Sequence, residues 1–412
     1  MTDRTVSMIV VSRNRPEALL RCLKAIEQLD YPVFEVIVVA DPGGLSALRQ
    51  AGVAPRIKTL EFDQPNVSAA RNLGIRAAAG QVVAFIDDDS VPEPSWLHFL
   101  AAAFDNADVV AAGGYVRGRN GISYQSTAQS VDAFGHHTPL SMTGDNTAVF
   151  VGNPGSAIKT EGTNCAFRRE TLLDLGGFDP AFHFFLDETD LNMRIARANL
   201  ATAVVPMAQV HHGFATSAQR HASRLPRTLF DVGASWAVFL RKHAPTDTHE
   251  TAIADIRADQ RARLVRHMVA GTCEPGDVGR LMATLEDGLA SGQKRPLLPH
   301  AVSGSGTMPF QRFIAPIAFT GSDVLAGRMW SAKRLRAEAI RRVDSGRRVS
   351  LFLFSPTALY HRVRFDRHGY WEQRGGLFGK SDRRDPLVCL NRFSVRLKRE
   401  VARVRGCRLF TE

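Results

Sequence analysis

The sequence predicts an α/β protein whose core is a mostly parallel, doubly wound sheet. Three observations point there. Residues 1–115 alternate short β-branched runs with helical patterns, and strands joined by helical crossovers pair in parallel. One run, Val82-Val83-Ala84-Phe85-Ile86, ends in three adjacent carboxylates, Asp87-Asp88-Asp89. Ligands of open α/β sheets bind at such carboxyl ends. The chain's 412 residues, 44% of them hydrophobic, suffice for two or three domains with ordinary cores.

Val6–Val11 reads as the first strand. Pro16 opens a helix with Leu19, Leu23 and Ile26 on one face. Val36–Val39 and Arg56–Phe62 read as strands, and Val67–Ala79 as an Ala-rich helix stopped by Gly80. The Val82–Ile86 strand follows. Pro92 and Pro94 precede a helix through Trp96, Leu97 and Leu100, with Ser90 and Glu93 at capping-box spacing. Val109–Tyr115 is again a strand. Residues 116–160 are polar and weakly periodic, and read as a long excursion over the site. Compact patterning returns over 161–215. Residues 216–290 look helical, with Leu229, Val232, Trp236, Phe239 and Leu240 on one face. Pro296, Pro299, Gly304 and Gly306 mark 291–312 as a linker. The expected division is a first domain over 1–245, a helical extension and linker over 246–300, and a C-terminal domain over 301–412.

The C-terminal third shows one strand, Val349–Phe354, and a basic helix near 388–405 striped by Leu390, Phe393, Leu397 and Val401. Between them, Arg374-Gly375-Gly376-Leu377-Phe378-Gly379-Lys380-Ser381 ends like a phosphate loop. Arg374 stands where that motif needs glycine, so a Gly-rich turn is the better reading. This third holds 23 Lys+Arg and 9 Asp+Glu, while the whole chain is +11, so the rest is nearly neutral. Such asymmetry suggests a polyanionic partner: membrane surface, lipid phosphate or nucleic acid. A solvated basic surface is the plain alternative. No apolar run approaches membrane-spanning length, and Met1-Thr2-Asp3-Arg4 leads straight into a strand, so no signal peptide is expected. The five cysteines are scattered, with no CxxC pair, which suits a reducing compartment.

Three carboxylates at the end of a buried strand raise one another's pKa or recruit a cation. A divalent-metal site handling a phosphorylated substrate is the first expectation. Further segments sharpen it. They are Val10-Val11-Ser12-Arg13-Asn14-Arg15-Pro16, Glu35–Asp41, Asn66–Gly74 and Phe85–Asp89, then Gly162–Arg168, Gly176–Asp179, Asp187-Glu188-Thr189-Asp190-Leu191 and Val210-His211-His212. In this order, over about residues 5–215, the chain resembles the inverting glycosyltransferase family 2, which has the GT-A fold.

The resemblance implies roles. Asp89 would bind Mn2+ or Mg2+, and Asp88 would contact the donor ribose or the metal. A cation held there stabilises a departing nucleoside diphosphate. Asp41 would meet the nucleobase, though a turn aspartate before Pro42-Gly43 is its plain role. Val11, Ser12 and Arg15 would line the nucleoside pocket, and Arg71 would reach the diphosphate. Glu188 would be the general base, with Asp187 the alternative; an acidic N-cap and first turn is the structural reading. His212, or else His211, would bind the metal or diphosphate. Gly162, Thr163 and Asn164 would line the acceptor side.

The expected partners are a nucleotide-sugar donor and a glycan or lipid-linked acceptor, with peripheral contact to an anionic membrane through residues 301–412 and no nucleic acid. The expected location is cytoplasmic, at the inner membrane face. A catalytically degenerate domain serving as a binding or scaffold module is the alternative.

Overall fold

The computed structural model describes residues 4–213, 215–217, 219–297, 301–302 and 308–410. Met1–Asp3, Pro299, Gly304 and Gly306, named above, lie outside them. The first elements are β1 (Val6–Ser12), α1 (Pro16–Ile26), β2 (Phe34–Ala40), α2 (Pro42–Gln50), β3 (Lys58–Glu61), α3 (Val67–Ala77) and β4 (Val82–Asp87). Strands β3-β2-β1-β4 lie side by side, all parallel. Alternate residues serve opposite faces: Met8, Val10, Val36 and Val38 pack with Leu19 and Leu23 of α1, while Ile9, Ile37 and Val39 pack with Ala70 and Ile75 of α3. Helix α2 was not expected. Gly43-Gly44 disguised it as a turn, but Asp41 is its N-cap and Pro42 its first residue.

The next elements are β5 (Ser90–Pro92), α4 (Trp96–Ala102), β6 (Val109–Arg117), β7 (Tyr124–Ser126), β8 (Gln129–Asp132), β9 (His137–Pro139), β10 (Ala148–Val151), β11 (Ser156–Ile158), β12 (Cys165–Arg168), α5 (Arg169–Asp174), α6 (Asp187–Arg197) and β13 (Ala201–His212). The path across the main sheet is β10-β13-β6-β12-β4-β1-β2-β3. The class is α/β as expected, but the sheet turns mixed beyond β4, because β12 enters antiparallel to both β4 and β6. Residues 116–160 are more ordered than their composition suggests. Strands β8, β9 and β11 form a small antiparallel sheet, and β10 extends the edge at β13. Each spans only three or four residues, too short for a readable period. The Ser90/Glu93 capping box does not form: Ser90 lies in β5, and α4 starts after Ser95 with no side-chain cap.

Helices α7 (Phe230–His243), α8 (His249–Val269) and α9 (Pro275–Lys294) follow. Then come β14 (Gly321–Arg328), α10 (Ala332–Asp344), β15 (Arg347–Ser355), β16 (Arg362–Phe365), β17 (Tyr370–Gly376) and α11 (Phe393–Arg408). The C-terminal third is therefore an α/β unit with the four-stranded order β14-β15-β17-β16. Helix α10 covers one face through Leu335, Ala339 and Val343, and α11 the other through Val404, Leu397 and Val401. Of its four strands only β15 was legible, because both its faces are buried. Arg374–Gly376, read as part of a turn, ends β17. Leu390 lies before α11 and is exposed, so it does not belong to the helix stripe.

Ala25, Val91 and Ile122 of the first unit share a core with Val363, Phe365 and Trp371 of this one. Some of its arginines are engaged in ion pairs within the unit: Arg396 and Arg403 with Glu400, Arg336 with Glu372, and Arg342 and Arg347 with Asp323. Among the described residues, no helix is long and apolar enough to cross a membrane.

Candidate active site

The site is assembled where β1 and β4 end. Their parallel register sets Val11 beside Asp87, so the loop from Ser12 to Arg15 faces the aspartates. The chain then turns back, and β5 pairs antiparallel with the end of β13, Ser90 opposite His212. That pairing brings His212 to Asp89, with Nε2 3.4 Å from Oδ1. Ligand atoms of Asp87, Asp89 and His212 all lie within 4.8 Å of one another. Asp87, to which the resemblance gives no role of its own, thus joins the cluster. A bulge between Val205 and Gln209 breaks the simple alternation along β13. His211 faces away from the cluster: its Nε2 lies 2.7 Å from Glu93 Oε1 and its ring lies against Trp371.

Asp88, expected to contact the donor ribose or the metal, is held by the protein itself. It is fully buried, accepting from Ser12 Oγ at 2.7 Å and paired with Arg15 Nη2 at 2.6 Å. Burial, with Asp89 beside it, pushes its carboxyl up to about 7 against the pull of Arg15. Asp89 goes the other way. Burial opposes its charge, but His212, Arg15 and the Ala215 N–H together hold it well below the usual carboxylate range. Ser12 and Arg15, expected in the nucleoside pocket, thus also support this carboxylate pair. Val11 is half-buried beside them.

Across from the aspartates, Arg71 is buried in α3. It is ion-paired with Asp187, lies 3.2 Å from Asp87 Oδ1, and donates to Gly162 O at 3.1 Å. Its guanidinium joins the two acidic groups of the site. Leu186, not Asp187, is the N-cap of α6, and its φ of 64° turns the chain so that Asp187 and Glu188 open the helix. Burial pushes Asp187 up to about 7 despite Arg71, with Glu188 adding to the rise. Burial also opposes the Glu188 charge, but Lys159, whose Nζ is 3.2 Å from Oε1, and then Arg71 bring it below its ordinary value. Lys159 was not anticipated: it is a lone lysine in a polar stretch, and no spacing marks it.

The remaining expected residues separate. Asp41 Oδ1 accepts from the Asn14 N–H at 3.1 Å, which fixes the loop after β1. Thr163 is bonded to Ser90, hydroxyl to hydroxyl, at 2.6 Å. Asn164 does not line an acceptor surface. It is fully buried, taking the Trp96 indole N–H at 2.7 Å and donating to Tyr115 O and Ala208 O. Its role is to lock β12 to its neighbours. Gly162 stays half-buried against Arg71.

Two carboxylates and an imidazole, gathered at the strand ends, fit a divalent cation. Their oxygens suit Mg2+ and Mn2+, and imidazole is a common transition-metal ligand.

Residues 3–230 match the family described as "Glycosyltransferase like family 2". The O-antigen biosynthesis protein RfbC of Myxococcus xanthus is 26% identical over 64% of this chain and 24% of its own. A pre-mycofactocin glycosyltransferase of Mycobacterium tuberculosis is 26% identical over 52% of this chain and 44% of its own. The chain thus spans less than half the length of either relative. The mannosyltransferase PcManGT of Pyrobaculum calidifontis, solved with GDP-Man and Mn2+, aligns with a TM-score of 0.39 at 18% identity, covering 70% of this chain and 87% of that one.

Proposed function

Because the chain belongs to the glycosyltransferase-like family 2, we propose that it is a metal-dependent, inverting glycosyltransferase. It would move a sugar from a nucleotide-sugar to an acceptor hydroxyl, in the synthesis of a cell-surface polysaccharide or glycoconjugate. The observation that carries this reading is the Asp87–Asp89–His212 cluster, linked through Arg71 to Asp187, the first residue of α6.

Asp87, Asp89 and His212 would hold Mn2+ or Mg2+, which when bound offsets the negative charge gathering on a departing diphosphate. Glu188 takes the acceptor proton. It is suited to this because Lys159 keeps it ionised while it remains partly open, with 15% of its side chain exposed. The acceptor oxygen attacks the anomeric carbon as the bond to the diphosphate oxygen breaks. The nucleoside diphosphate leaves with that electron pair, and the proton rests on Glu188. Asp187, also ion-paired but with only 5% of its side chain exposed, is less open to an acceptor. The loop from Val11 to Arg15, with Asp41 behind it, would frame the nucleoside.

The test is a screen of UDP-, GDP- and dTDP-sugars with Mn2+ and with Mg2+, reading released nucleoside diphosphate. Metal-stimulated release that is lost in Asp89→Ala supports the reading. A purified chain that neither binds nucleotide with metal nor releases diphosphate is a binding module instead.

A further inference from the structure

The C-terminal unit reaches the cation cluster through a buried pair of charges. Arg408, at the end of α11, is 2% exposed and Glu93, just past β5, is 0% exposed. Arg408 Nε and Nη2 lie 2.9 and 3.1 Å from the two Glu93 oxygens, and Nη1 donates to Ser350 Oγ at 3.1 Å. Glu93 also meets His211 Nε2 at 2.7 Å. Trp371 of β17 packs against both partners. The Arg408 Cζ lies 4.3 Å from its ring centroid, and the His211 ring centroid lies 4.5 Å away. The backbone adds to the join, since Ser95 N donates to Cys407 O at 3.1 Å.

The position of this join is what matters. Glu93 ends the segment that begins at Asp89, and His211 directly precedes His212. Strands β5 and β13 are paired between them, so a clamp on Glu93 and His211 grips the two strands whose near ends carry Asp89 and His212. The Gly213 N–H, donating to Asp89 O at 2.8 Å, closes the other side. An attachment that merely glued two units together could use any surface. This one acts one residue away from a candidate ligand.

We propose that Arg408 and Trp371 are positioning residues for the Asp89–His212 pair, so that the C-terminal unit sets the affinity of the site for its divalent cation. The inference rests on reading that cluster as a cation site. Groups bonded directly to metal ligands tune affinity by about 10–100-fold, and Arg408 and Trp371, one link further back through Glu93 and His211, should act at the low end of that range.

The test uses the full chain, with Mn2+ as probe and free Mn2+ read by electron paramagnetic resonance, with and without UDP. Arg408→Lys keeps the charge and loses the forked geometry; Trp371→Phe keeps an aromatic ring and loosens the clamp. Arg342→Ala, which removes a distant ion pair of the same unit, is the control. Melting curves establish that each variant is folded. The expected result is an Mn2+ dissociation constant raised about 10-fold in both Arg408→Lys and Trp371→Phe and unchanged in the control. Turnover should return at saturating Mn2+, as for a defect in affinity. A folded Arg408→Lys or Trp371→Phe protein that binds Mn2+ as tightly as the parent overturns the proposal. A parent chain that binds no Mn2+ overturns the reading of the cluster itself.

Discussion

Arg71 on α3 and Asp187 at the start of α6 form a buried ion pair that joins the two halves of the site. The same guanidinium touches Asp87, so one cation serves carboxylates on both sides. Removing it leaves Asp187 buried and uncompensated. Arg71→Ala should cost about 3–5 kcal/mol of stability. The paired change Arg71→Met with Asp187→Leu should recover much of that, because neither charge is then stranded, but should not recover turnover. Denaturant melts of the single and double variants decide this. A double variant as unstable as Arg71→Ala would show that the pair is not the source of the cost.

Glu188 is the residue on which chemistry should depend most. Glu188→Gln keeps the shape and removes the base, so kcat should fall by about 10²–10⁴-fold with little change in donor KM. Lys159 favours the charged carboxylate, so Lys159→Met should raise the Glu188 pKa and move the acid limb of the pH–rate profile to higher pH. Unchanged turnover in Glu188→Gln would transfer the role to another group, with Asp187→Asn the next variant to assay.

Gly114 on β6 provides a packing test behind the site. A Cβ there would fall 1.9 Å from Ala208 O and 2.6 Å from Asn164 Nδ2. Gly114→Ala must therefore separate β6 from β13 and disturb the Asn164 amide. A loss of at least about 1–3 kcal/mol in a chemical melt is expected, as for overpacked cores. Because β13 carries His212, weaker Mn2+ binding should accompany it. A neutral substitution would mean that β13 relaxes away at no cost.

What could be read from the sequence follows from how each element is buried. Strands covered on both faces, such as Val36–Val39 and Val349–Phe354, are continuous apolar runs and were legible. The same holds for the carboxylates closing β4, because charge at the end of such a run is conspicuous. Half-exposed or very short strands are not: β14 mixes polar and apolar residues, and β8, β9 and β11 end before any period is established. The site was legible where neighbours in sequence act together, as in Asp87–Asp89 and Asp187-Glu188. It was illegible where partners meet only through the fold. Lys159 and Glu188 are 29 positions apart, and Arg408 and Glu93 are 315 apart. Asn164 misled for a related reason, since a polar residue beside Gly162 looks like a surface until the strand pairing buries it.

His361 gives the C-terminal unit a defined acid sensitivity. The ring is 1% exposed, with Nε2 2.8 Å from Gly376 O and Nδ1 2.8 Å from Gln373 Nε2. Since the Gln373 NH2 group can only donate, while its oxygen accepts from Arg403, Nδ1 must accept, and the ring is built to be neutral. Burial, reinforced by Arg396 and Arg403 and opposed by Glu400, pushes its pKa down to about 4. In the unfolded chain an imidazole titrates near 6.5, so between these values the unfolded state holds the extra proton. Stability from this group is thus fully present above about pH 6.5 and falls as pH drops toward 4, by about 1.4 kcal/mol per pH unit and about 3 kcal/mol in all. Below pH 4 the group adds no further slope. His361→Gln can keep a donor toward Gly376 but cannot titrate. Melts of both proteins from pH 7 to 4 should show the gap between them narrowing as the parent loses this contribution. Parallel curves across that window would mean that the ring already carries its proton in the folded state, or that acid opens the C-terminal sheet by another route.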